Sequence, residues 1–177
     1  MSRPQTPKPA KLVIGLFVKD KSLHFPVARS LADEFGPPDI ISPWLDFNFT
    51  TYYENETGAP LFRRMFSFEN MTSQKSLAGI KLATNVIEKQ YVEGGKRRVN
   101  IDPGYMTSER FVLATGKNYT HRIYMDKGIF ADLTLVYQNG AFCKLPWTYP
   151  DYFEKNMLLF LEKVRNKYKR DLGQAGD

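Results

Sequence analysis

The chain opens its ordered pattern with a continuous apolar run, LVIGLFV at residues 12–18, bounded by lysines on both sides. Such a run predicts a central strand buried on both faces. A helix comes next. Pro26 suits its first turn, Val27, Ala28, Leu31, Ala32 and Phe35 mark one face, and Gly36-Pro37-Pro38 stops it. Ile40 and Ile41, then Leu45, Phe47 and Phe49 alternating with polar residues, predict one or two strands. Residues 50–60, carrying Tyr52, Tyr53, Glu54 and Glu56, read as a surface connection. Residues 61–68 alternate again, with Phe62, Phe66 and Phe68 on one side and Arg63 and Ser67 on the other. A second helix spans 73–92, buried along Leu77, Ile80, Thr84, Ile87 and Tyr91 and ended by Gly94-Gly95. On its flank Lys81, Asn85 and Glu88 recur at steps of four and three, which places them on one polar stripe.

The second half is strand-rich. Residues 97–102 form a short strand that Pro103-Gly104 is expected to end. Thr107 either caps a brief helix reaching Thr115 or lies in a strand. Residues 118–125 and 129–137 read as two strands joined by the hairpin turn Asp126-Lys127-Gly128, and Asn139-Gly140 turns the chain into a third at 141–145. Pro150 opens a long amphipathic helix whose inward face is Phe153, Met157, Phe160, Leu161, Val164 and Tyr168. Helices separated by single strands, then a meander of hairpins, predict an α+β fold. The expected architecture is a single mixed, mostly antiparallel sheet with three main helices packed largely on one face, leaving the other face for function. Residues 1–10 read as a flexible, proline-containing arm, 11–172 as one domain and 173–177 as a tail.

Composition narrows the function classes. The 177 residues suffice for one core without staples, and 42% hydrophobic and 25% charged residues are ordinary globular values. The longest apolar run is far too short to span a bilayer, and the proline-bearing start lacks the apolar stretch of a secretory signal. No membrane partner and a cytoplasmic location are expected. The lone Cys143 excludes an internal disulfide and a thiolate zinc cage. A net charge of +6 favours polyanions. Yet several of the cations, Lys163, Arg165, Lys167, Lys169 and Arg170 near the end and Arg3, Lys8 and Lys11 near the start, read as solvated. Nucleic acid is therefore the less favoured partner, behind a small anionic ligand.

Candidate chemistry concentrates in residues 96–125, KRRVNIDPGYMTSERFVLATGKNYTHRIYM. Side chains alternate along a strand, so each strand sorts its residues into two sets. Val99 and Ile101 form an apolar set opposite Arg98, Asn100 and Asp102. Ile129, Ala131, Leu133 and Leu135 oppose Asp132 and Thr134. Ile123 and Met125 point to the core, leaving Thr120, Arg122 and Tyr124 outward. Stacked, the outward sets make a polar floor whose Arg98 and Arg122 forks suit a carboxylate or phosphate. Asn100, Tyr105 and Tyr124 are further ligand-binding candidates, and Asp102 is the candidate acid/base. The same floor also reads as ordinary sheet surface, where opposite charges pair across strands. Parity turns His121 inward with Ile123; a bulge would reverse that and make it a general base near Asp102. His24, ahead of the first helix, has no acidic neighbour of note.

Familiar motifs are absent: no G-x-x-x-x-G-K-[ST], no G-x-G-x-x-G and no G-x-S-x-G. No metal is expected from two histidines, and a carboxylate set of Asp102, Glu109 and Asp132 has no diagnostic spacing. The cofactor is unspecified. Read together, GKRRVNIDPGYMTSERFVLATGKNYTHRIY, LPWTYPDY, PAKLVIGLF and IKLATNVIEKQY resemble a bacterial family catalogued as domain of unknown function 4416. The resemblance implies a stand-alone cytosolic protein and no particular activity. It draws attention to Pro146–Tyr152, where Trp147, Tyr149 and Tyr152 form either an aromatic wall beside the floor or a rigid entry to the last helix. The functional expectation is a domain binding a small anionic, phosphorylated or nucleotide-like ligand, with or without catalysis. The alternative is a non-enzymatic interaction module for a protein or nucleic acid.

Overall fold

A computed structural model describes residues 1–45 and 61–174. In chain order these form β1 (Ala10–Val18), α1 (His24–Phe35), β2 (Pro38–Ile41), β3 (Phe62–Thr72), α2 (Leu77–Lys89), β4 (Val92–Glu93), β5 (Lys96–Arg97), β6 (Val99–Met106), β7 (Arg110–Thr115), β8 (Arg122–Asp126), β9 (Ile129–Gln138), β10 (Ala141–Lys144) and α3 (Lys155–Gln174). The fold is α+β. Eight strands build one sheet in the order β10-β9-β7-β6-β1-β3-β2, with β8 also on β9, and β4-β5 is a separate hairpin. Every described pairing is antiparallel, so no parallel pair joins the expected mixture among the described residues. The predicted strand positions Phe47 and Phe49 and the connection at 50–60 lie outside the described residues.

β1 is the buried centre: all nine of its residues are buried. Its even positions Leu12, Ile14, Leu16 and Val18 pack with Val27 and Leu31 of α1 and Ile80 and Ile87 of α2. On the opposite face Val13, Met65, Met106, Phe111 and Leu113 pack beneath Met157, Phe160, Leu161 and Val164 of α3. Two helices therefore share one face and α3 crosses the other. That crossing explains why Arg63 and Ser67, the polar side of β3, are buried rather than wet. Arg63 bonds Asp151 in the short 3-10 turn at Pro150–Phe153, and its guanidinium lies 4.9 Å from the Phe17 ring and 4.2 Å from that of Tyr152. Lys11, expected to be solvated, is fully buried and holds Asp39, Ser67's partner, together with Asp171 of α3 at 2.8 Å. Arg165 is likewise engaged, giving Nε–H to the Ser108 carbonyl at 2.8 Å and covering Tyr137.

Two of the sheet's irregularities shape the region around β7. The first is Pro103-Gly104, which lies inside β6 instead of ending it. Thr107 N–H donates to Arg110 C=O across the hairpin, and the ladder continues through Tyr105↔Val112 and Gly104↔Leu113. Alternation makes Pro103 the next residue facing β7, and proline has no N–H to give. Pairing stops there, and β6 and β7 part. Gly104 lets β7 cross closely: a Cβ on it would stand 2.4 Å from the Val112 carbonyl oxygen. Gly104→Ala is thus expected to destabilise the fold by about 1–3 kcal/mol through forced backbone movement, read as a lower urea midpoint with unchanged slope. Residues 107–115 accordingly form the hairpin and strand β7, not a helix.

The second irregularity is a bulge in β9. Phe111 pairs with Leu135 but Val112 with Leu133, leaving Thr134 as the extra residue. One added residue reverses parity beyond it. Leu133 therefore packs with Val112 and Ile129 on the α2 face, whereas Leu135 joins the core under α3. The expected uniform alternation of 129–135 fails for this reason. The turns at Lys127-Gly128 and Asn139-Gly140 hold positive φ at both positions (52° and 76°, 51° and 86°), as tight two-residue hairpins require. No helix among the described residues is long and apolar enough to cross a membrane.

Candidate functional site

Where β6 and β7 part, the backbone of Ile101 would be left unpaired. Side chains of α2 take it up: Ile101 N–H donates to Glu88 Oε1 at 2.6 Å, and Lys81 Nζ donates to the Ile101 carbonyl at 2.7 Å. The polar stripe Lys81–Asn85–Glu88 read from the sequence thereby faces the split. Asp102 comes next, holding Asn100 Nδ2 at 3.0 Å, with Lys81 Nζ 3.6 Å from its other oxygen. Arg97 approaches Glu88 at 3.6 Å.

On the far side of β7 a second gap appears in β9, because β8 pairs only its start and β10 only its end. The loop before α3 fills that gap. Trp147 Nε1 donates to the Leu133 carbonyl at 2.8 Å, and Thr148 Oγ1 to the Thr134 carbonyl at 2.6 Å. This places Trp147 flat against His121, with ring centroids 4.9 Å apart and planes 10° apart, and Tyr119 meets the same imidazole edge-on. Asp132, 4% exposed, accepts from Arg122 Nε at 2.8 Å and lies 3.2 Å from His121 Nε2. Arg122 also donates to the Lys117 carbonyl at 3.0 Å and to Tyr149 Oη at 3.2 Å. Burial, the largest single influence, works against its charge, but the bond and charge of Asp132 together with Tyr149 outweigh it and raise the pKa of Arg122 above its ordinary value.

Between these two groups lies a cleft of about 750 Å³ whose floor is Leu113 to Lys117 of β7 and the turn beyond. Lys81, Glu88, Arg97 and Asp102 line one pole; His121, Arg122, Asp132, Trp147 and Tyr149 line the other. Register carries Gly104 through Leu113 to Asp132 on one face, so Asp102 and Asp132 share that face. Two strand spacings across and two residues along separate their backbones by roughly 12 Å.

Of the candidates, Asp102, His121, Arg122, Trp147 and Tyr149 reach the lining, and Asn100 bonds Asp102 from the next outward position. Asn100 itself does not line the cleft, nor do the remaining three. Arg98 precedes β6 and binds Glu93 at 2.8 Å beside Asp20, so the expected Arg98–Arg122 clamp is not formed. Tyr105 points to the α2 face, packed with Leu77 and Val112, where burial raises its pKa despite Arg110. Tyr124 is 59% exposed and meets Phe130 edge-on near the hairpin tip. His121 escapes the parity argument because it precedes β8, in a turn closed by Arg122 N–H to the Tyr119 carbonyl at 3.0 Å. Ile123, expected inside, is 73% exposed on this edge strand. The loop residues divide: Trp147 and Tyr149 form the wall, while Tyr152 is core beside Arg63. His24 opens α1 beside Arg64 Nη1 at 3.1 Å; burial, then that charge, lower its pKa. Among the described residues no three histidine, cysteine, aspartate or glutamate side chains gather to hold a metal ion.

Sequence reasoning does not select Lys81, Glu88, Arg97, Lys117 or Tyr119 as site residues. The three-four spacing on α2 is the available signal for the first two. The family model for a domain of unknown function, DUF4416, matches residues 8–168, a span that holds every residue of the cleft. The chain belongs to that family. No curated protein and no solved structure matches the chain.

Glu88 supplies a pH-dependent signature for this seam. Burial raises its pKa above the ordinary 4.5, against the pull of Lys81, the Ile101 N–H and Arg97. The native state then binds this proton more tightly than the unfolded chain. The stability it contributes is complete below the unfolded value and is lost as pH rises through the native one. Glu88→Gln keeps an acceptor for Ile101 and removes the titration. The stability difference between Glu88→Gln and the parent, from urea midpoints, is expected to shift in favour of the variant as pH rises from 4 to 7.

Proposed function

We propose that the cleft binds a small anionic ligand. The observation that carries this reading is the charge inventory of one concavity: Lys81, Arg97, Lys117 and Arg122 against Glu88, Asp102 and Asp132. Arg122 is held ready rather than free to collapse onto solvent. Asp132, the Lys117 carbonyl and Tyr149 engage three of its five N–H groups, which leaves two for a ligand in a fixed orientation. The size suits a small molecule, since ligand pockets run from about 300 to 1,000 Å³. His121 stands beside Asp132, whose carboxylate accepts from its Nε2–H at 3.2 Å. Asp102, steadied by Asn100, stands at the other pole to accept hydroxyl protons.

Inorganic phosphate at about ten times its Kd should stabilise the chain by about 1.4 kcal/mol, or roughly 3–6 °C in Tm, relative to chloride at equal ionic strength. The double variant Arg97→Ala, Lys117→Ala should lose most of that shift. No phosphate-specific shift in the parent, or an unchanged shift in the double variant, rejects the reading.

A further inference from the structure

We infer that the anion this cleft takes is the phosphate of a mononucleotide, with the base lodged at the aromatic pole. The inference rests on the anionic reading above and gives its ligand a chemical class. The two poles differ in kind, and the Asp102 and Asp132 backbones that belong to them stand roughly 12 Å apart across β7. A bare phosphate occupies only one of them. At one end Trp147 and Tyr149, both held by side-chain bonds, are 37% and 46% exposed, and Tyr119 beside His121 is 65% exposed. Trp147 is anchored through Nε1 to Leu133, and Tyr149 through its hydroxyl to Arg122. The ring planes are therefore set before a ligand arrives, and a second planar ring gains stacking without ordering them.

At the other end the chemistry suits a sugar phosphate. Asp102 keeps 27% of its side chain exposed with Asn100 bonded to it, the arrangement of a carboxylate that accepts from vicinal hydroxyls. Arg97, 43% exposed, stands at the same pole against Glu88, and Lys117 also lines the cleft. A ring, a polyhydroxyl spacer and a phosphate, in that order, match the sequence of groups along the cleft. The cleft's size holds one nucleoside monophosphate.

Calorimetric titration of the full chain with inorganic phosphate, ribose 5-phosphate, and adenosine and uridine monophosphates tests this. The tighter of the two nucleotides should bind at least tenfold more strongly than ribose 5-phosphate, and ribose 5-phosphate more strongly than phosphate. Trp147→Ala should erase the nucleotide's advantage while leaving ribose 5-phosphate unchanged. Trp147→Phe, which keeps a ring in the gap, should retain part of it and guards against loss through misfolding. Nucleotides binding no more tightly than ribose 5-phosphate overturn this inference and leave the anionic reading standing. Failure of all four compounds to bind overturns both.

Discussion

Replacing Asp132 by alanine should destabilise the fold by about 3–5 kcal/mol, the cost of removing one partner from a buried ion pair. The carboxylate is nearly inaccessible and receives Arg122 and His121 on a single oxygen, and both of those side chains are only 9% exposed. Without it the guanidinium keeps the Lys117 carbonyl and Tyr149 but loses its charged counterpart in a dry setting. The imidazole loses what fixes its tautomer. Two readouts separate the consequences. Urea unfolding gives the energetic loss, and ring nitrogen NMR should show His121 changing from a single Nε2–H form to a mixture. A loss under about 1 kcal/mol, the range of an exposed pair, would mean that Arg122 finds another partner and that Asp132 does not organise this pole.

Lys11→Met is expected to be comparably severe, again about 3–5 kcal/mol. Lys11 has no exposed side chain, Asp39 is 5% exposed, and Asp171 lies 2.8 Å away on α3. Lys167 joins the same carboxylates at 2.9 and 3.5 Å, so two cations and two anions tie the last helix to β1 and β2. The methionine leaves two carboxylates sharing one cation that is 29% exposed. Adding Asp39→Asn to Lys11→Met should recover part of the loss, because the stranded charge is then removed. The pH dependence has a definite sign. Burial pushes the Asp171 pKa up, but bonds from Lys11 and Lys167 prevail and hold it below the ordinary 3.8. That contribution is present above the unfolded value and is lost as pH falls through the native one. The parent should therefore lose more stability below pH 4 than Lys11→Met does.

These two clusters also mark the limits of what the sequence discloses. Apolar periodicity suffices for β1, α1, α2 and α3, since each has one unbroken pattern and burial follows pattern. The two-residue turns are equally legible, because Lys-Gly and Asn-Gly accept the positive φ that a hairpin demands. Lys11 and Arg63 are not legible: a charged residue flanking or interrupting a strand looks solvated until carboxylates such as Asp171 and Asp151, over 80 residues away in the chain, are known as partners. Strand parity puts Asp102, Arg122 and Asp132 on a common face, and the register carries them there. It fails at His121 and Leu135, where a turn and a bulge break the two-residue period. Pro103-Gly104 carries the subtler lesson. The pair signals an interruption of hydrogen bonding, which the sequence expresses, but not whether the chain turns there or a neighbouring strand peels away.

That peeling creates the cleft, and every functional statement about this chain depends on the cleft taking up an anion. A ¹H–¹⁵N NMR titration of the isotopically labelled chain with inorganic phosphate reads it residue by residue. Saturable shifts centred on the amides of Thr115–Lys117 and Ile101–Asp102, the floor and the pole that carries Arg97, are the predicted result. Shifts that scatter over surface lysines without saturating, or that gather at another face of the sheet, would contradict it.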